Sequence, residues 1–206
     1  EKYQLNTNQI ESFITHVQGK GKVFAPHKTG ENSFRFNEVE DPKAVELDYN
    51  RTLNSVKKYF LPPREVLLSF SKSDNSFEKS DISEEKKIFL GVHNYDVKAV
   101  LRLDYNFTQG NPEDNYLKRR QNSIFIGVSY TPDDYHFSQS VGIPLHDTEG
   151  FDIYLQKNDK GYSVSVLTDN GKEIVDGFNG LSDDIGAASN HTQFNNKLKY
   201  NYNRLP

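Results

Sequence analysis

Apolar residues recur at helical spacing near the start of the chain, where Ile10, Phe13, Ile14 and Val17 follow a candidate cap at Asn6 or Thr7 and stop at Gly19. The pattern predicts an amphipathic helix. Lys22 to Pro26 reads as a short strand, and Ser33 to Phe36 as its hairpin partner across the turn Lys28-Thr29-Gly30-Glu31-Asn32. Asp41 to Arg51 is a polar connection. Pro62 and Pro63 force an extended break, after which Val66 to Phe70 predicts a buried strand or short helix. Residues 71–85 are rich in Ser, Lys, Asp and Glu without an apolar period, which predicts an exposed loop.

The strongest apolar runs come next. Lys87 to His93 and Ser123 to Tyr130 each predict a strand, and between them Asp96 can cap a helix carrying Val97, Val100, Leu101 and Phe107. Strand, helix, strand implies a right-handed parallel crossover. Asp114 to Arg120 reads as a further helix with a solvated, charged face. Phe151 to Gln156 and Tyr162 to Leu167, joined through Asn158-Asp159-Lys160-Gly161, predict an antiparallel hairpin, and Asp169-Asn170-Gly171 turns into a strand or short helix over Lys172 to Phe178. The expected class is α/β, with mixed α+β as the alternative: one domain over residues 1–206, with a mixed sheet, a parallel strand-helix-strand core and a C-terminal antiparallel hairpin.

Composition narrows the chemistry. With 206 residues and a formal net charge of -4, the chain can build a substantial core but offers no basic field for nucleic acid. Its 14 Phe and 12 Tyr predict an aromatic-rich core. Cys is absent, which excludes disulfides, cysteine nucleophiles and thiolate-held metals or clusters within these residues. Met and Trp are absent too, and recoding, engineering or an unusual lineage all stay open as reasons. No apolar run approaches the roughly 18 residues of a membrane span, and no secretory leader is visible, so the expected location is the cytoplasm. The Asn-x-Ser/Thr triplets at Asn50, Asn106 and Asn190 read as chance in an Asn-rich chain.

A parallel pair places His93, Tyr95 and Asp96 beyond one strand end and Tyr130, Asp133, Asp134, Tyr135 and His136 beyond its neighbour, where open α/β sheets bind ligands. His93 and His136 are therefore candidate metal ligands, with a packed aromatic cluster as the alternative. Ser138 and Ser140 lie near His136, but no Gly-x-Ser-x-Gly elbow occurs. A phosphate-binding glycine loop is also missing, and no small-molecule substrate can be named.

Gly91-Val92-His93-Asn94-Tyr95-Asp96 resembles the Gly-Val-Arg-Pro-Cys-Asp signature of the iron-sulfur beta subunits of sulfhydrogenases and of the A subunit of anaerobic sulfite reductases. The stretch Ser129 to Gly142 resembles the same family's cluster loop with every cysteine replaced. The resemblance puts Tyr95, Tyr130, His136 and Ser138 where the family has its cluster cysteines. Thr52 to Phe70 is similar to the family's Ser-Pro-Lys-x-Phe-Phe-x-Pro-x-x-Glu run, Asp114 to Arg120 to its Asp-x-Tyr-Tyr-x-x-Arg-Arg run, and Phe194 to Asn203 to the segment before its ferredoxin-like dicluster module. That module is missing from these residues. The resemblance implies a cluster-free, non-catalytic relative of an electron-transfer subunit in a redox complex, and Arg119 and Arg120, adjacent planar donors for carboxylates with no nucleophile signature nearby, are the expected contacts to its other subunits. Two alternatives stay open: an electron-transfer subunit whose cysteine-containing parent binds a [4Fe-4S] cluster, and a small metal-binding protein or enzyme using the loops around His93 and His136.

Overall fold

Lys2–Asn6 forms a strand (β1) that leads through one 3-10 turn into helix α1, Ile10–Gln18, whose Phe13, Ile14 and Val17 are buried. The side chain of Gln9 accepts the Asn6 backbone N–H at 3.2 Å, holding the helix entry, and Gly19 ends it. Strands β2 (Lys22–Gly30) and β3 (Ser33–Glu38) form the expected hairpin. A small hairpin follows, β4 (Leu68–Ser71) with β5 (Ser76–Lys79). Then come β6 (Lys87–Val92), helices α2 (Asn94–Thr108) and α3 (Asp114–Gln121), and β7 (Ser123–Val128). The described chain closes with β8 (Ile153–Asn158), β9 (Gly161–Val166), α4 (Asp169–Val175) and β10 (Ser182–Asp183). The computed structural model describes residues 1–79, 81–83 and 85–183, so Asn190 and the run Phe194 to Asn203 lie outside the described residues.

Among the described residues the main sheet has the order β10-β1-β9-β8-β7-β6-β2-β3. Strands β2, β6, β7 and β8 pair in parallel, and the remaining pairings are antiparallel. The fold is thus the expected mixed α/β arrangement, with the strand-helix-strand core in place. Register in the parallel core follows its aromatic rings. Phe24 lies opposite Phe89, and Phe89 opposite Phe125, on neighbouring strands. Their rings stack across the sheet at centroid separations of 5.6 and 5.4 Å. Phe60 packs over Phe89 at 5.3 Å and Phe125 at 6.1 Å, while Tyr59 packs on Phe24 at 4.5 Å. Fully burying an aromatic ring contributes about 1.5–3 kcal/mol, so this layer is a principal source of stability.

Several expectations give way to the packing. Residues 71–85 were expected as an irregular loop, but Ser71 and Ser76–Lys79 are strand residues of the β4–β5 hairpin. Val66 to Phe70 is not buried: among the described residues no second layer lies beneath this hairpin, and Val66, Leu67, Leu68, Phe70 and Phe77 are all at least half exposed. The α2 cap is His93 rather than Asp96, which sits in the first turn and is itself buried. Asp169 to Gly171 begins α4 instead of forming a separate turn, because the Thr168 hydroxyl accepts the Gly171 N–H. The β8–β9 hairpin is antiparallel as expected, yet β8 joins β7 in parallel.

Arg119 and Arg120, assigned to a partner from the sequence, are engaged inside the molecule. Arg119 donates to the Phe60 carbonyl at 3.3 Å and pairs with Glu65, with only 12% of its side chain exposed. Arg120 donates through Nε to both Asp104 oxygens and through Nη1 to Ser123, with its guanidinium 5.0 Å from the Phe125 ring centroid. A planar, multi-donor cation suits such sites, and the pair ties α3 to the Tyr59-Phe60 cover and to the sheet. Arg119→Ala is therefore expected to lower folding stability by about 1–3 kcal/mol, since it leaves Glu65 and a carbonyl without their donor. Urea unfolding that matches the parent chain would contradict this.

Candidate functional site

Two strands end side by side. β6 closes on a bulge at Gly91, where φ is +80° and the pairing with β7 slips between Leu90 and Val92. A Cβ there would stand 2.8 Å from the Leu47 side chain, so glycine is required twice over. The Gly91 carbonyl, freed by the bulge, accepts the buried Tyr49 hydroxyl at 2.6 Å. The chain then turns at His93, whose carbonyl receives the N–H groups of Asp96 and Val97 as α2 begins. Next to it, β7 runs out through Ser129 to Tyr130. The connection 129–152 to the parallel strand β8 holds a 3-10 turn, Ser138–Val141, instead of an α-helix.

These two exits bring Tyr95, Tyr130, His136 and Ser138 into one cluster around His93. The His93 ring is fully buried, stacked between Tyr49 at 4.1 Å and Tyr130 at 4.3 Å, with Tyr95 edge-on at 5.4 Å. Tyr95 lies 5.5 Å from Tyr130 and 6.0 Å from His136 between ring centroids. One consistent set of donors and acceptors accounts for these contacts. Tyr95 donates to the Asn50 carbonyl at 3.1 Å, so its oxygen accepts from Nδ1–H of His93 at 2.8 Å. Nε2 of His93 is then a buried lone pair without a hydrogen-bond partner. Tyr130 donates to Asn94 Oδ1 at 3.2 Å and Ser138 to the Ile143 carbonyl at 3.2 Å. Both hydroxyl oxygens can then accept from Nε2–H of His136, at 3.2 and 2.7 Å. With its proton on Ile143, Ser138 is not a nucleophile held by an imidazole base.

Burial sets the charge state. It lowers the His93 pKa to about 3, helped by the nearby His136, and it lowers that of His136 as well. Burial raises Tyr95 and Tyr130, so both phenols stay protonated. It also raises the buried Asp96 carboxyl, against a hydrogen bond from Ser55 and the charge of Lys57. At the rim, Arg51 pairs with Asp133 at 2.6 Å and lies 5.3 Å from the Tyr135 ring centroid. Neutral phenols, a neutral imidazole and a hydroxyl do not fit an iron-sulfur cluster, which thiolates hold. No group of three or more His, Cys, Asp or Glu that could hold a metal ion occurs among the described residues. His93 and His136 instead both pack against Tyr130.

Sequence reading missed Tyr49, Asn50, Arg51 and Asn94. The first three lie in the stretch read as a polar connection, where Leu47 and Tyr49 are buried among polar neighbours. Their apolar spacing within that stretch was the available signal.

Because the folded His93 pKa lies below its ordinary 6.5, the stability it contributes is complete above that pH. It is lost as pH falls from about 6.5 toward 3, at up to about 1.4 kcal/mol per pH unit for one proton. Chemical denaturation at pH 7 and pH 5 should show this loss for the parent chain and a smaller loss for His93→Phe. Equal losses in the two proteins would contradict it.

With the site described, the chain can be set beside known proteins. It is 30% identical over 182 residues, 88% of its length, to the beta subunit of sulfhydrogenase 2 from Pyrococcus furiosus, and the matched region is 53% of that protein. The chain thus spans about half the length of this curated relative. No protein-family model matches the chain, and no solved structure matches it. Among the described residues no helix is long and apolar enough to cross a membrane. The likeness extends over most of the sequence, and over that length the chain is similar to a sulfhydrogenase beta subunit.

Proposed function

We propose that this chain is a cluster-free relative of an iron-sulfur electron-transfer subunit and serves as a non-catalytic structural or docking element of a hydrogenase-like redox complex in the cytoplasm. One observation carries this reading. The residues matched to the family's cluster cysteines, Tyr95, Tyr130, His136 and Ser138, converge in space but present protonated phenols, imidazole and hydroxyl packed against one another. Aromatic bulk takes the place that a cluster would need.

A docking role is supported by the β4–β5 hairpin. Phe70 and Phe77 pack with tilted rings at 4.9 Å while remaining 50% and 70% exposed, and Leu68 beside them is 57% exposed. Exposed apolar surface of this kind suits contact with other subunits.

The reading is tested by purifying the tagged chain from its native host. The expected result is copurification with subunits of a hydrogenase-like complex, no stoichiometric iron on the isolated chain, and no broad visible absorbance of a thiolate-held cluster. Phe70→Ser with Phe77→Ser should weaken that association at least about tenfold while leaving the melting temperature nearly unchanged. Iron bound by the isolated chain, or association with such subunits unaffected by the double substitution, would overturn the proposal.

A further inference from the structure

Between the loop 130–143 and the segment Asn50-Arg51 lies a cavity of about 230 Å³, at the carboxyl ends of the parallel strands. Its walls are mainly rings and aliphatic side chains, among them Tyr95, Tyr130, Tyr135, Phe137, Val141 and Ile143. Three of these are far more exposed than packing alone would favour: Tyr135 at 76%, Phe137 at 60% and Val141 at 60%. Each sits on a wall of the same cavity, which makes the exposed apolar surface concave.

Several of the polar groups there are already engaged within the molecule. Arg51 and Asp133 neutralise each other at the rim, so the cavity carries no net charge to attract an ion. Hydroxyl protons of Tyr95, Tyr130 and Ser138 are committed to Asn50, Asn94 and Ile143. His136 lines the cavity, and with Nε2–H assigned to Tyr130 and Ser138 its Nδ1 is an acceptor with no hydrogen bond to it among the described residues. A ligand matched to these walls is flat, uncharged and apolar, with a donor for one acceptor. Size points the same way, since a dry cavity of about 150 Å³ takes a benzene ring. Mostly apolar clefts with a few convergent polar groups, placed beyond parallel strand ends, are where small molecules bind.

We infer that this cavity binds an uncharged aromatic molecule of one or two rings that donates one hydrogen bond to His136. The inference does not depend on the docking role proposed above, because it concerns different residues and a small ligand.

Indole is a suitable probe, and with no Trp in the chain its fluorescence is free of protein background in its own excitation band. Titration of the whole chain should saturate with a dissociation constant of about a millimolar or tighter, as expected for a ligand of this size. Shifted NMR resonances should map to residues 130–143. Phe137→Ala should bind indole about tenfold more weakly, and Val141→Phe, which fills the cavity from an exposed position, should abolish binding. 1-Methylindole, which lacks the donor, should bind about tenfold more weakly than indole. Circular dichroism of both variants should match the parent, since neither residue is part of the buried core. Absence of saturable binding, unchanged affinity in Val141→Phe, or equal affinity for the two indoles would overturn the inference.

Discussion

The line of stacked rings formed by Phe24, Phe89 and Phe125 is the constraint on which the rest of the structure depends. Each ring faces its neighbour at a registered position on adjacent parallel strands, so the strands cannot slip without unstacking the sheet. With register fixed, β6 and β7 end at the same level, and the loops beyond them must share space. Phe60 and Tyr59 cover the rings, and Arg119 holds that cover through the Phe60 carbonyl and Glu65. Two segments that resemble family motifs, around Tyr59 to Glu65 and around Tyr116 to Arg120, therefore meet in one structural latch.

What the latch delivers is a site beyond two parallel strand ends that has the chemistry of a core. His93 is enclosed by Tyr49, Tyr95 and Tyr130, and its imidazole is kept neutral by burial. Protonated phenols and a neutral imidazole pack at low electrostatic cost, whereas thiolates around an iron cluster would bring net negative charge into the same space. Outside this inner cluster the same loop opens into an apolar cavity, so Tyr95, Tyr130 and His136 face both environments.

Much of this was legible in the sequence. The β6 and β7 runs are continuously apolar because both faces of a parallel sheet are covered, and that pattern is hard to read otherwise. Convergence of Tyr95, Tyr130, His136 and Ser138 followed from motif order together with parallel pairing. Other features depend on information that residue types do not carry. Arg119 and Arg120 look like surface donors until the positions of Glu65 and Asp104 are known. Tyr49 is hidden in a polar stretch, although it forms one face of the His93 sandwich. The hairpin at Leu68 to Lys79 is apolar enough to suggest burial, yet nothing in the described fold covers it. The parallel entry of β8 is obscured because its crossover from β7 contains no α-helix, the usual signature of such a connection.

The packed His93 is the point at which the account is most directly exposed to measurement. Imidazole nitrogen shifts from an ¹⁵N-histidine-labelled chain distinguish a protonated nitrogen from a bare one. The account predicts that His93 carries its proton on Nδ1, leaves Nε2 bare, and stays neutral from pH 7 down to pH 5 while the fold persists. A His93 that titrates near its ordinary 6.5, or whose Nε2 carries the proton, would contradict the enclosed tyrosine-histidine core.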